Sequence, residues 1–228
     1  AIKRAKELSA RASEKERLWI EAQFASTIER DPAKRRRLLL ELAAKYPQEK
    51  HAHYELGRQS YSSARYAEAV QEFEKAVALD PTFGPAFNML GYSHAKAGDY
   101  AKAEAAFGRY IASNPGDPNP VDSLAELYLY MGQLDKAEAK YKEALNIRSD
   151  FISPCRGLAY ISALKEDYAA TSRWLGEFIA RAGPTEKMEG LWLTSYFNYL
   201  LGRFEKARRA FFDLRKIAES FGSPPYIM

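Results

Sequence analysis

The chain of 228 residues is poor in the residue types that build small catalytic or metal centres. Its single cysteine, Cys155, excludes a disulfide scaffold and a cysteine-based zinc site. Of three histidines, His51 and His53 stand two apart in a helical stretch and point to different faces, so they cannot chelate one metal from that helix. Apolar runs stay as short as Leu191-Trp192-Leu193, far below the roughly 20 residues a spanning helix needs. There is no phosphate-binding G-x4-G-K-[ST] loop, no N-x-[ST] acceptor, and no nucleophile with a base in reach by sequence logic. No cofactor, metal or catalytic residue is expected, and the chain reads as a non-enzyme.

Neither sign of charge dominates, with 34 basic and 30 acidic residues. The excess sits at the ends. Residues 1–49 hold 12 Lys/Arg against 8 Asp/Glu and residues 186–228 hold 7 against 5, whereas the middle holds 15 against 17. Only Lys34-Arg35-Arg36-Arg37 concentrates cations, and that run reads as the solvated start of a helix, which argues against a nucleic-acid binder. The basic ends would suit an acidic partner or a membrane surface. The chain starts at Ala1 with no apolar leader, so its start reads as processed or trimmed, and the compartment stays open between cytoplasm and periplasm.

What the sequence does have is a period of 34. Leu56-Gly57, Leu90-Gly91, Leu124-Ala125 and Leu158-Ala159 recur at that spacing. So do Ala69, Ala103, Ala137 and Thr171, and so do Phe73, Phe107, Tyr141 and Leu175. Pro81 and Pro115 close two of the units. Within a unit the apolar and small residues fall at helical spacing in two runs, as at Leu56, Gly57 and Ser60 and then Ala69, Phe73, Ala76 and Val77. Gly98-Asp99-Tyr100 and Gly132-Gln133-Leu134 supply turns with glycine just past a helix end.

This pattern resembles the tetratricopeptide repeat, with its W-x2-L-G-x2-Y, A-x3-F and closing P over 34 residues. The resemblance implies an all-α fold, a right-handed superhelical solenoid of helix-turn-helix hairpins. Four units fall in register at 50–83, 84–117, 118–151 and 152–185. Two degenerate ones flank them near 16–49, with Trp19 in phase and Ser13-Glu14-Lys15-Glu16 as a capping box, and near 188–221, shifted by two residues through an insertion between Thr185 and Gly202. Residues 1–221 are thus expected to form one solenoid, followed by a tail at 222–228.

In such a stack the first helix of each unit lines a concave face. The stripe beside the buried positions carries Tyr54, Arg58 and Tyr61, then Asn88 and Tyr92, then Asp122 and Glu126 with Tyr130 beside them, then Arg156 and Tyr160, and finally Trp192 and Tyr196. If the insertion followed the last first-helix, Trp192 and Tyr196 would be core instead. Tyrosine and tryptophan joined with a few charges favour a peptide-binding groove. Arg58 and Asn88 resemble part of the carboxylate clamp of chaperone-binding repeats, but Asp122 and Glu126 would repel a carboxylate. A ligand of mixed charge with an aromatic or apolar side chain fits better. Asn119-Pro120 reads as a helix start with Asp122 near its positive end. On the outer helices Glu72 and Glu74 read as solvated charge. His94 reads as a packed histidine and Cys155 as a small core residue.

The expected partner is a protein or peptide segment. The stretches Ala12–Ala22 and Asn119–Leu124 are similar to repeat regions appended to bacterial serine/threonine kinases, adenylate cyclases and winged-helix regulators, which would make the chain a sensor or assembly arm of a larger protein. Phe211, Phe212 and Phe221 at the last unit leave a third reading, self-association through a solenoid end. The register predicts that Arg58→Ala and Tyr92→Ala leave the fold intact.

Overall fold

The computed structural model describes residues 1–221; the expected tail at 222–228 lies outside the described residues. Every regular element among the described residues is helical. Two compact units emerge, Ala1–Pro115 and Gly116–Met228. The first contains α1 (Ile2–Leu8), α2 (Glu14–Phe24), α3 (Pro32–Lys45), α4 (Lys50–Ser62), α5 (Tyr66–Leu79), α6 (Gly84–Lys96) and α7 (Tyr100–Ser113). The second contains α8 (Pro118–Tyr130), α9 (Leu134–Ile147), α10 (Ser153–Leu164), α11 (Tyr168–Arg181), α12 (Pro184–Leu200) and α13 (Phe204–Ser220). Within each unit a helix packs on those before and after it in the chain, so the contacts are local, as in a repeat stack.

The 34-residue period has a backbone counterpart. Ala64, Gly98, Gly132, Glu166 and Gly202 all adopt left-handed φ between +56° and +86°. The next residue in each turn donates its N–H to the carbonyl five positions back, as in Arg65 to Ser60, Asp99 to His94 and Gln133 to Tyr128, all at 2.9 Å. This is the helix-ending motif that glycine favours, repeated through both units. The last turn comes 36 residues after its predecessor, and α12 takes up the additional residues as helix, 17 residues long against 12 for α10.

Packing follows the small-large pairing of the sequence. A Cβ on Gly57 would meet the Phe73 ring at 2.7 to 2.9 Å, and one on Gly91 would meet Phe107 at the same distances. Gly157 lies closer still against the Tyr141 ring, where a Cβ would meet ring atoms at 2.2 to 2.7 Å, which brings α10 onto α9. Phe73, Phe107, Tyr141 and Leu175 are all buried.

At the N-terminal end the capping box forms: the Glu16 N–H donates to Ser13 Oγ, and the Ser13 N–H donates to Glu16 Oε2 at 2.9 Å. After α2 the helix widens into a π turn, Ala25–Glu29, and the chain reverses at Arg30 with φ 54°. Asp31 then caps α3 by accepting from the Lys34 N–H at 2.9 Å, with Pro32 at the first helical position.

Two local expectations change. The cation run at 34–37 is not simply solvated: Arg35 pairs with Glu55 and Arg36 with Glu68, tying α3 to α4 and α5, because a helix packed by the next repeat turns part of its first turn inward. The start of α8 is capped by Asp117, which accepts from the Asn119 N–H at 3.0 Å with Pro118 at the first helical position, so Asn119 lies inside the helix.

Candidate functional site

The first helices carry the stripe named above. In the first unit Tyr54 and Arg58 are one turn apart on α4, and the Arg58 guanidinium lies over the Tyr54 ring at 5.8 Å. Glu55 fixes Arg58 in place, accepting from it at 3.1 Å while also holding Arg35. Tyr54 is half-buried, its ring edge against Phe83 at 5.2 Å, and that burial pushes its hydroxyl pKa up. Tyr61 packs edge-on against Tyr66 at 5.5 Å. Arg58 itself is exposed and borders an open cleft of about 510 Å³ that also takes in Arg30, Arg35, Glu55 and Gln59. Asn88 and Tyr92 on α6 are half-buried, and the Tyr92 ring stands edge-on to Phe107 at 5.1 Å. Tyr92 therefore has a share in the core, which corrects the expectation that its truncation leaves the fold untouched.

In the second unit Glu126 and Tyr130 are exposed on α8. Asp122 is not: it is 8 % exposed, and its Oδ2 accepts from Ser153 Oγ of α10 at 2.7 Å, while Oδ1 has no partner. The expectation that Asp122 faces a groove is corrected by that packing, since α10 covers the second turn of α8. Burial pushes the Asp122 carboxyl up to about 6, against the Ser153 hydrogen bond, which lowers it. Arg156 of α10 bridges to Glu189 of α12 at 2.9 Å. Tyr160 is exposed, and its ring edge meets Phe197 at 6.2 Å. Trp192 and Tyr196 are 49 % and 46 % exposed and stack in parallel, 5.3 Å between centroids and 4° between planes. The helical insertion precedes them and leaves both side chains open, not core.

Glu72, expected to be solvated, is an exception to that reading: its Oε2 lies 2.7 Å from His53 Nδ1 and its Oε1 accepts from Lys75 at 2.7 Å. Burial opposes the Glu72 charge, but these partners outweigh it and hold the carboxyl below its usual range. Sequence reasoning missed this pair because it links two helices of one hairpin. Burial pushes the His94 imidazole down and the Cys155 thiol up, as for packed side chains. Among the described residues no group of three or more His, Cys, Asp or Glu side chains could hold a metal, and no helix is long and apolar enough to cross a membrane.

These features define a helical-repeat protein whose first helices present aromatic and charged side chains. Comparison with known proteins sharpens the class. Tetratricopeptide repeat patterns match residues 29–83, 60–127 and 94–158, together more than half the chain. The chain belongs to the tetratricopeptide repeat family. It is 28 % identical over 97 residues to anaphase-promoting complex subunit 3 of Schizosaccharomyces pombe (strain 972 / ATCC 24843), a match covering 42 % of this chain and 15 % of that relative's length. Among solved structures it resembles PilW, described as a widely conserved type IV pilus biogenesis factor, at 17 % identity and TM-score 0.69, covering 87 % of this chain and 92 % of that one. It also resembles PilF of Pseudomonas aeruginosa, at 15 % identity and TM-score 0.66, covering 99 % and 96 %. These structural likenesses establish the all-α helical-repeat solenoid fold, and the fold suggests a scaffold for protein–protein interaction.

Proposed function

We propose that the chain is a non-catalytic interaction module that binds a peptide segment of another protein along the exposed face of its first helices. The observation that carries this reading is the run of open aromatic and charged side chains on those helices: Arg58 in the first unit, and Glu126, Tyr160, Trp192 and Tyr196 in the second. Side chains of this kind combine contact area with polar handles. The repeat backbone is preformed, so the ligand bears most of the ordering cost. Arg58 suits an acidic group of the ligand and Glu126 a basic one.

An assembly role for the bound partner agrees with relatives named as a subunit of the anaphase-promoting complex and a pilus biogenesis factor. A regulatory arm of a larger signalling protein would use the same face.

The test is differential capture from lysate of the source organism. Wild-type chain is compared with Arg58→Ala/Tyr160→Ala, checked by circular dichroism for an unchanged fold. Proteins retained by the wild type and lost by the folded variant support the reading. Equal retention by both moves the site away from the first helices.

A further inference from the structure

The position that carries the large residue of each second helix behaves differently in the last repeat. Phe73, Phe107, Tyr141 and Leu175 are 0 %, 1 %, 4 % and 2 % exposed, whereas Phe211, 36 residues after Leu175, is 40 % exposed. The second unit shows what normally lies there. Leu193 of α12 packs against Ala159 of α10 and Leu175 of α11, with Phe197 one turn on, and Phe197 also meets the Tyr160 ring. Ala159, Tyr160 and Leu175 have their counterparts, 36 residues later, in Ser195, Tyr196 and Phe211. Those counterparts line an open cleft of about 440 Å³ together with Trp192, Tyr199 and Phe204.

The face that α12 and α13 leave open among the described residues is aromatic, and a contiguous apolar patch of this kind marks an interaction site. α13 as a whole carries five Lys/Arg against three Asp/Glu, and Arg208, paired with Glu205 at 2.7 Å, reaches the cleft.

We propose that the α12–α13 face is a seat for an amphipathic helix of another protein, one that places apolar residues at i and i+4 and carries acidic flanks. The i, i+4 pair is what Leu193 and Phe197 present to the preceding seat, and the acidic flanks complement α13. The seat shares Trp192 and Tyr196 with the peptide-binding face, but it rests on the internal repeat and on α13, so either proposal can fail alone.

The probe is a fluorescein-labelled, hydrocarbon-stapled peptide of residues 184–200 carrying Lys187→Glu, the helix that fills the preceding seat. Fluorescence anisotropy with the full chain is expected to show saturable binding. Phe211→Glu should weaken it about tenfold, Arg208→Glu by a smaller factor, and Arg58→Ala not at all. Arg208 is exposed, so its variant keeps the test alive should Phe211→Glu disturb α13; circular dichroism reports the fold of each. Absence of saturable binding, or binding insensitive to both α13 variants, overturns the proposal. A dimer in light scattering that Phe211→Glu dissolves would assign the seat to a second copy instead. Peptide binding that appears only after removal of residues 222–228 would assign it to the chain's own tail.

Discussion

Single residues carry the clearest energetic commitments. Phe73 is fully buried opposite Gly57, so Phe73→Ala should cost about 3–5 kcal/mol, read by urea denaturation. Asp122 gives the stability a pH dependence of unusual sign. Its carboxyl titrates near 6 in the fold, above the ordinary 3.8, so the folded state holds a proton that the unfolded state has released between those values. Stability therefore falls as pH rises from about 4 to about 6, by about 2–3 kcal/mol, and stays reduced above that. Asp122→Asn should be more stable than wild type at pH 7 and equal to it near pH 4. A variant less stable than wild type at pH 7 would show that the ionised carboxylate is instead stabilising. Neither Asp122 nor Tyr92 was legible as an inward residue. Both sit on the stripe beside the core, and whether that stripe is open depends on what a neighbouring helix lays against it, which the 34-residue period does not encode. Arg58 and Tyr160 occupy the position equivalent to Tyr92 and remain exposed.

At the scale of elements, the repeat was readable because its punctuation is chemical. The turn glycines Gly98 and Gly132 announced the hairpins, and the left-handed φ at those positions is why glycine stands there. Ala64 and Glu166 hold the same conformation with a side chain, at a cost of roughly 1 kcal/mol each. Ala64→Gly is expected to raise stability by about 0.5–1 kcal/mol and Gly98→Ala to lower it by a similar amount. Thermal melts of the two variants moving in the same direction would contradict this account of the turn. Less was readable at the degenerate repeats. The π turn at Ala25–Glu29 leaves no mark in the hydrophobic pattern, and the additional residues of α12 left its register open until helix length decided it. Cross-helix ion pairs such as Arg36 with Glu68 join residues far apart in sequence, and nothing in the local charge run announces them.

At the scale of the whole molecule, the fold class followed from the 34-residue spacing through its resemblance to a known repeat family, while the exposure of the first-helix stripe followed only in part. Repeat proteins of one fold serve different ligands because specificity resides in a few exposed side chains. Under the proposed reading the partner's chemistry is therefore read from Arg58, Glu126, Tyr160 and the aromatic end, not from the family. The central claim is that the peptide partner meets the first helices of the repeats and not the faces of the second helices that carry Lys75 and Lys142. Site-specific photo-crosslinking tests it most directly: p-benzoylphenylalanine replaces Arg58 or Tyr160 on first helices, and Lys75 or Lys142, both well exposed, on second helices. The account predicts that one partner is trapped from positions 58 and 160 and not from 75 or 142. Trapping from 75 or 142 with none from 58 and 160 would contradict it.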